Sequence, residues 1–477
     1  MRTIGASKAI AMVDRSAEPA GRTRGISLWL HTRSRILLHL TLPQSVVHDL
    51  WSLRLQKIQH RLSYDVDTET EGQPLRFSSQ SEGETSASEA SRRSRKDTRG
   101  KADRSVALSD CLSLCYAGCL LLREPVTVAD FALWAGTGEL LYYRASKDIP
   151  LGMRERLPAT YQQLLQPLSL GEVEKLHQHV LELFQLMHGE FGMAVPPINY
   201  VLILHRWLQV LTLPIEVFAA TQRLAQILDL GFSYQLQAKE SSKAKDIMLR
   251  YPETRLMALL VVATKLLFPF DNVKRYPISS SDPSVLSMDW QNWQEIHSLP
   301  VKGAKPLSYQ AALSFSEDDA LRAGDEELDA YLDWVEENIA SEEIRERGKA
   351  GKDADFRQML FRMFPNGKQP PGEGAEDLKP ATDAPDAMLK SNIHRVHNSL
   401  KPQRIVEPRV GAADVNRTGS FYRRCRRVEE LDGPVRTFYE KAGELAGLSL
   451  ESMVRAVNLI ETRVQKYEED LRRKRRW

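Results

Sequence analysis

The sequence predicts an all-α protein of several domains, and three observations carry the prediction. Apolar residues recur at steps of three and four through most of the 477 residues, the spacing that gathers them on one face of a helix. Runs in which apolar and polar residues alternate, the mark of a half-buried strand, are almost absent. Two stretches, Cys111–Cys119 and Leu256–Phe268, are apolar on every side, as a helix is when other helices surround it.

The apolar content of 42% and the charged content of 27% are ordinary for a globular chain able to bury a sizeable core. Net charge is only +2, yet the charges are sorted along the chain into basic and acidic patches. Four cysteines, three of them in one apolar helix, make no disulfide framework and fit a reducing compartment. The stretch "YVLILHRWLQVLTLPIEVF" from Tyr200 is broken by His205, Arg206 and Pro214. The one from Leu256, with Lys265 and Pro269, is too short to cross a bilayer, so no membrane partner is expected.

Residues 1–41 read as a basic leader, expected to be disordered. From Thr41 the chain turns helical, with Val47, Trp51, Leu55, Ile58 and Leu62 on one face. Between 64 and 105 apolar content nearly vanishes, and a disordered insert is expected within the first domain (42–165). The cysteine helix follows, and Thr127 with Asp130 predicts a capping box for a helix ending near Gly136. The second domain (166–300) opens with a stripe of Val173, Leu176, Val180, Phe184 and Met187. It continues with helices at Ile198–Leu211, Pro214–Leu228 and Pro252–Phe268. An acidic helical segment (301–364) spaces Leu328, Tyr331, Leu332, Val335 and Ile339 under a negative outer face. Residues 365–419, rich in Pro, Gly and Asp at their start, are expected to be a linker. The C-terminal region (420–477) is helical, with Met453, Val457, Ile460, Val464, Tyr467 and Leu471 at the spacing of a coiled-coil seam.

Cys111, Cys115 and Cys119 climb one helix over two turns, so their sulfurs cannot all reach one ion, and packing is the expected role. His177 and His179 face different sides of their helix. No P-loop, H-E-x-x-H, G-x-S-x-G or dinucleotide fingerprint occurs, and no enzyme activity is expected. Three basic clusters stand out: Arg92, Arg93, Arg95, Lys96, Arg99 and Lys101; Arg423, Arg424, Arg426 and Arg427; and Arg472, Arg473, Lys474, Arg475 and Arg476. Each suits nuclear import or phosphate binding. Trp290 and Trp293 suit either an exposed contact for a partner or burial against the preceding helices, and burial is the favoured expectation.

The stretches "LCYAGCLLLREPVTVADFALWAGTGELLYYRASKDIP", "EFGMAVPPINYVLILHRWLQVLTLPIEVFAATQRLA" and "PETRLMALLVVATKLLFPFDNVKRYP" closely resemble the fungal RNA polymerase I-specific initiation factors, the transcription factor IIB-like subunit of core factor. The likeness covers roughly residues 42 to 300. It implies tandem cyclin-like five-helix folds, an amino-terminal zinc ribbon and a carboxy-terminal helical region. It also implies a nuclear and nucleolar protein that binds the ribosomal DNA promoter with other core factor subunits, TATA-binding protein and RNA polymerase I. The chain holds no C-x-x-C pair and no cysteine before Thr41. Either the true start lies upstream, the favoured expectation, or the ribbon has been lost; the chain as it stands is expected to bind no zinc. DNA contacts are expected from Lys274 and Arg275 after the second central helix, and from Lys239, Lys243 and Lys245 in the nearby loop. A cyclin-type kinase regulator and a nuclear helical scaffold are the alternatives.

Overall fold

The structure, a computed structural model, describes residues 45–56, 108–140, 142–143, 145–155, 162, 165–167, 169–236, 248–271, 273–298, 307–339, 363, 384–407, 415–419 and 422–476. The expected leader (1–41) and insert (64–105), and with them Arg92, Arg93, Arg95 and Lys96, lie outside those residues. The regular secondary structure of the described residues is almost wholly helical. Its one sheet pairs β1 (Leu286–Ser287) with β2 (Lys401–Pro402), antiparallel. It forms two compact units, the first reaching Asn199 and taking in Tyr234, the second holding Tyr200–Ser233 and the remainder.

The first unit contains α1 (45–56), α2 (Leu108–Leu121), α3 (Val128–Thr137), α4 (Leu151–Arg154) and α5 (Val173–Phe191). Every residue of α2 from Cys111 to Leu120 is buried, with α3 and α5 packed on it. Gly118 is what lets α1 come close: a Cβ there would sit 2.9 Å from Val47 Cγ2, and a β-branched side chain has little freedom to step aside. The capping box forms as the sequence predicts. Thr127 Oγ1 accepts from the Asp130 amide at 3.3 Å while Asp130 Oδ2 accepts from the Thr127 amide at 2.8 Å, and α3 stops at Gly138 with φ of 80°. The Tyr116 ring meets Phe131 edge-on at 6.0 Å, and its hydroxyl accepts from Tyr234 at 3.0 Å. The three thiols are packing groups. Burial pushes the Cys115 thiol up to about 12 and drives Cys111 and Cys119 upward too.

The second unit contains α6 (Tyr200–Val210), α7 (Glu216–Ile227), α8 (Pro252–Leu267), α9 (Trp290–Ser298), α10 (Tyr309–Leu313), α11 (Glu317–Arg322), α12 (Asp325–Asn338), α13 (Ala384–Asn398), α14 (Gly433–Ala446) and α15 (Leu450–Arg476). Pro252 opens α8 at a position where no backbone donor is needed. Every residue from Pro252 to Lys265 is then buried, with α6, α7, α14 and α15 around it. Trp290 and Trp293 are buried as expected, but their cover comes from both sides in sequence. Trp293 Nε1 donates to the Leu211 carbonyl at 2.9 Å, and both rings meet Phe438 of α14, at 5.6 and 5.5 Å.

Two expectations are corrected. The span 365–419 is not a linker throughout: α13 lies inside it and packs on α6 and α9 with Val396 fully buried. Its Leu389, Ile393 and Val396 follow steps of four and three, a face masked by the Pro- and Asp-rich sequence before it. In α12 the expected packed stripe is half wrong. Leu328, Leu332 and Ile339 are exposed, and the buried residue is Trp334, because its large ring finds Tyr309 edge-on at 5.0 Å. The seam of α15 packs within the molecule as far as Val464, against α8 and α14, and Tyr467 beyond it is exposed.

A helix enclosed on every side, yet carrying Lys265 in its last turn, raises the question of where that charge goes. Lys265 Nζ lies 2.7 Å from Glu461 Oε1 of α15, with both side chains no more than 2% exposed. It also donates to the Tyr439 hydroxyl at 3.3 Å and lies 5.3 Å from the centre of the Tyr422 ring. Burial pushes the Glu461 carboxyl upward against the pull of Lys265. Such a pair is costly to desolvate and costlier to break, so it specifies which face of α15 meets α8.

Lys265→Met alone is expected to cost about 3–5 kcal/mol by urea unfolding, whereas Lys265→Met with Glu461→Leu recovers most of it, since a buried pair is worth little against well-packed apolar groups. Gly443→Ala places a Cβ 2.8 Å from the Leu448 carbonyl oxygen, and a loss of about 1–3 kcal/mol is expected in the same assay. Because the thiolate is the reactive form and burial raises all three α2 thiols, Cys111, Cys115 and Cys119 should resist a thiol reagent at pH 8 until denaturant is added.

Candidate nucleic-acid interface

α8 ends at Leu267, and the chain beyond it carries the basic residues that the sequence marks for DNA. Arg275 does not serve there. It is 6% exposed, and its guanidinium holds Asp271 through two bonds, Nη1 to Oδ1 at 2.5 Å and Nη2 to Oδ2 at 2.7 Å, with a third to the Val273 carbonyl. That contact holds the Asp271 carboxyl below the usual carboxylate range. The assignment of Arg275 as a phosphate contact is therefore corrected: an Arg spaced four from an Asp on a tight loop closes on its neighbour. Lys274, one residue earlier, is exposed.

The loop is held from outside by the segment after α13. Gln403 N donates to the Val285 carbonyl at 2.7 Å, Val406 N to Pro277 at 3.1 Å, and Tyr276 N to Asn416 at 3.0 Å. Arg417 Nη1 donates to the carbonyls of Val406 and Tyr276, while the hydroxyls of Ser284 and Thr418 meet at 2.6 Å. Lys401 Nζ lies 3.0 Å from Asp289 Oδ2. Lys274 thus sits on a braced loop, and Lys401 and Arg404, both exposed, lie on the bracing segment. Reading 365–419 as a linker hid these two residues, and only the spacing of Leu389, Ile393 and Val396 pointed to order there.

Lys239, Lys243 and Lys245 lie outside the described residues. Arg472, Arg473 and Lys474 are exposed on the last turns of α15, with Arg472 3.9 Å from Glu468; Arg475 and Arg476 continue the helix. Arg423 pairs with Asp432 at 2.8 Å, and Arg424 donates to Gln465. Arg426 and Arg427 line a surface cavity of about 760 Å³ with Arg455, but Glu429, Glu430 and Glu451 line it too, so its charge is mixed. Of the three basic clusters, the first lies outside the described residues, and the second is engaged with neighbouring acids and amides.

The α2 cysteines climb one buried helix at steps of four, among apolar neighbours, and act there as packing groups. Among the described residues no group of three or more His, Cys, Asp or Glu is placed to hold an ion, and no helix is long and apolar enough to cross a membrane.

Comparison with known proteins sets this architecture in a family. The family described as Rrn7/TAF1B, N-terminal cyclin domain, matches residues 34–151, and Rrn7/TAF1B, C-terminal cyclin domain, matches 172–339. The RNA polymerase I-specific transcription initiation factor rrn7 of Schizosaccharomyces pombe is 25% identical over 270 residues, 52% of this chain and 49% of that protein. A TATA box-binding protein-associated factor of RNA polymerase I from Oryza sativa subsp. japonica is 29% identical over 108 residues, 22% of this chain and 16% of that one. The chain therefore spans about half the length of the first relative and less of the second. A chain of the S. cerevisiae core factor crystal structure superposes with a TM-score of 0.51 at 13% identity, covering 93% of this chain and 97% of that one, a likeness of fold. With tandem cyclin domains matched over more than half of its length, each unit built round a fully enclosed helix, this protein belongs to the Rrn7/TAF1B family.

Proposed function

We propose that this protein is a non-enzymatic RNA polymerase I initiation factor. In this reading it acts in the nucleolus as a subunit of core factor, bridging the ribosomal DNA promoter, TATA-binding protein and its companion subunits to position the polymerase. The observation that carries the reading is the pair of cyclin domains in a chain similar over 270 residues to a polymerase I initiation factor. The chemistry agrees with an adaptor. Among the buried charged groups, Lys265, Glu461 and Arg275 are engaged in holding helices and loops together.

DNA contacts in this reading go mainly to phosphates, from Lys274 on its braced loop, from Lys239, Lys243 and Lys245, and from the basic end of α15. Arg92, Arg93, Arg95 and Lys96 serve as a nuclear address or a second phosphate-binding arm. Zinc enters only through a ribbon of the kind the resemblance implies, not through the residues described above.

The test is a gel-shift titration of ribosomal promoter DNA with the assembled complex. Affinity should fall steeply with salt, and replacing Lys239, Lys243, Lys245 and Lys274 with Ala should flatten the slope of log K against log salt by about 0.9 for each phosphate no longer neutralised. Unchanged binding by that variant retires the site. Absence of the protein from ribosomal DNA by chromatin immunoprecipitation retires the function.

A further inference from the structure

We propose that the apolar stripe of α12 is a docking surface for a basic amphipathic helix of a partner protein. The proposal rests on the reading above that the protein works within a core-factor complex.

α12 follows α11 after the short break at Ala323–Gly324, with Gly324 at its N-cap. The preceding α11 opens on a capping box, in which Ser316 Oγ accepts from the Asp319 amide at 3.2 Å and Asp319 Oδ2 accepts from the Ser316 amide at 3.1 Å. One side of α12 is packed: Trp334 lies edge-on to Tyr309, Tyr331 stacks on Phe315 at 4.4 Å, and Tyr309 donates its hydroxyl proton to Asn338 Oδ1 at 2.7 Å. The adjoining side is not. Leu328, Leu332 and Ile339 are 36%, 54% and 44% exposed, and Leu321 just before them is 85% exposed. At helical spacing those three share one face, next to the packed aromatic face.

The far edge of that stripe is a row of acids. Asp325, Asp329 and Asp333 follow steps of four, directly beside Leu328 and Leu332, and α12 contains no Lys or Arg to face them. Like charges at this spacing repel within a helix. In one place, then, the described residues hold an exposed aliphatic row and an anionic row that its own helix does not balance, side by side and parallel. A helix with aliphatic residues on one face and Lys or Arg along its edge relieves both at once, the helix-in-groove mode of recognition.

The charges decide between occupants. Nucleic acid is repelled by the acidic row. A second copy would bring two acidic rows together. The chain's own stretch 356–364, "FRQMLFRMF", has the right pattern, but its one described residue, Met363, is 60% exposed. A partner helix is left as the occupant.

The test uses the full chain assembled with its companion core-factor subunits. Zero-length carbodiimide cross-linking should join Asp329 or Asp333 to lysines of one companion subunit. Replacing Leu328, Leu332 and Ile339 with Gln should weaken assembly at least tenfold while the thermal unfolding of the free chain is unchanged, since all three are exposed. Replacing Asp325, Asp329 and Asp333 with Asn should remove most of the salt dependence of assembly. If the wild-type chain assembles and both variants assemble equally well, the docking surface is refuted while the core-factor reading stands. Cross-links running only to Lys349, Lys352 or Lys368 of the same chain refute it in favour of the internal stretch. A wild-type chain that joins no companion subunit ends both the docking surface and the reading it rests on.

Discussion

A lysine and a glutamate that face one another out of reach of water govern the second unit. α8 buries Glu253 and Arg255 in its first turn and Lys265 in its last, and apolar contact alone would leave such an enclosed helix many rotational settings. Apolar burial is non-directional and does not choose among them. The requirement that the Lys265 ammonium meet the Glu461 carboxylate, with Tyr439 and Tyr422 alongside, does choose. It sets the register of α15 against α8, and α14 is placed through the same cluster. The central helix of the second cyclin domain and the C-terminal region are for this reason one structural body and not a domain with a tail.

The same economy recurs in the first unit with different materials. There the one charge of the central helix, Asp110, lies in its first turn 3.7 Å from Arg54 of α1, and further along the fit rests on size: the missing Cβ of Gly118 admits Val47, and the cysteines fill space where a longer side chain would hold the neighbours apart. Outside the cores, the loop after α8 is stiffened by a segment more than a hundred residues later in sequence, through backbone bonds from Gln403 and Val406 and the Arg417 guanidinium. An adaptor has to present surfaces in fixed relation, and in this chain buried polar groups provide that fixity.

Much of this was legible in the sequence because it depends on local pattern. The all-α class, the enclosed helices, the Thr127 capping box and the stripe of α5 all follow from spacing alone, and the structure bears them out. What was not legible depends on partners distant in sequence. Nothing near Lys265 marks Glu461 as its counter-charge, nothing near residue 280 marks residues 401–418 as its brace, and the composition around residue 370 argues against the helix that follows. The candidate site shows the limit most plainly. Lys274 and Arg275 are adjacent and alike in charge, yet one lies on the surface and the other is closed over Asp271, a difference set by the path of the loop. In α12 the spacing of apolar residues was right but the face was not, because one tryptophan outweighs three aliphatic side chains in choosing what to cover.

α15 runs unbroken from the core to Arg476, although its burial stops at Val464. Twelve further residues at 1.5 Å each carry the cationic end about 18 Å outward on a stiff support. A limp cationic tail must surrender its backbone freedom each time it is seated on an anionic surface, and that surrender subtracts from the affinity. Here the freedom was surrendered when the helix formed, so the basic last turns are offered at a set height and bearing, closer to a bracket than to a tether.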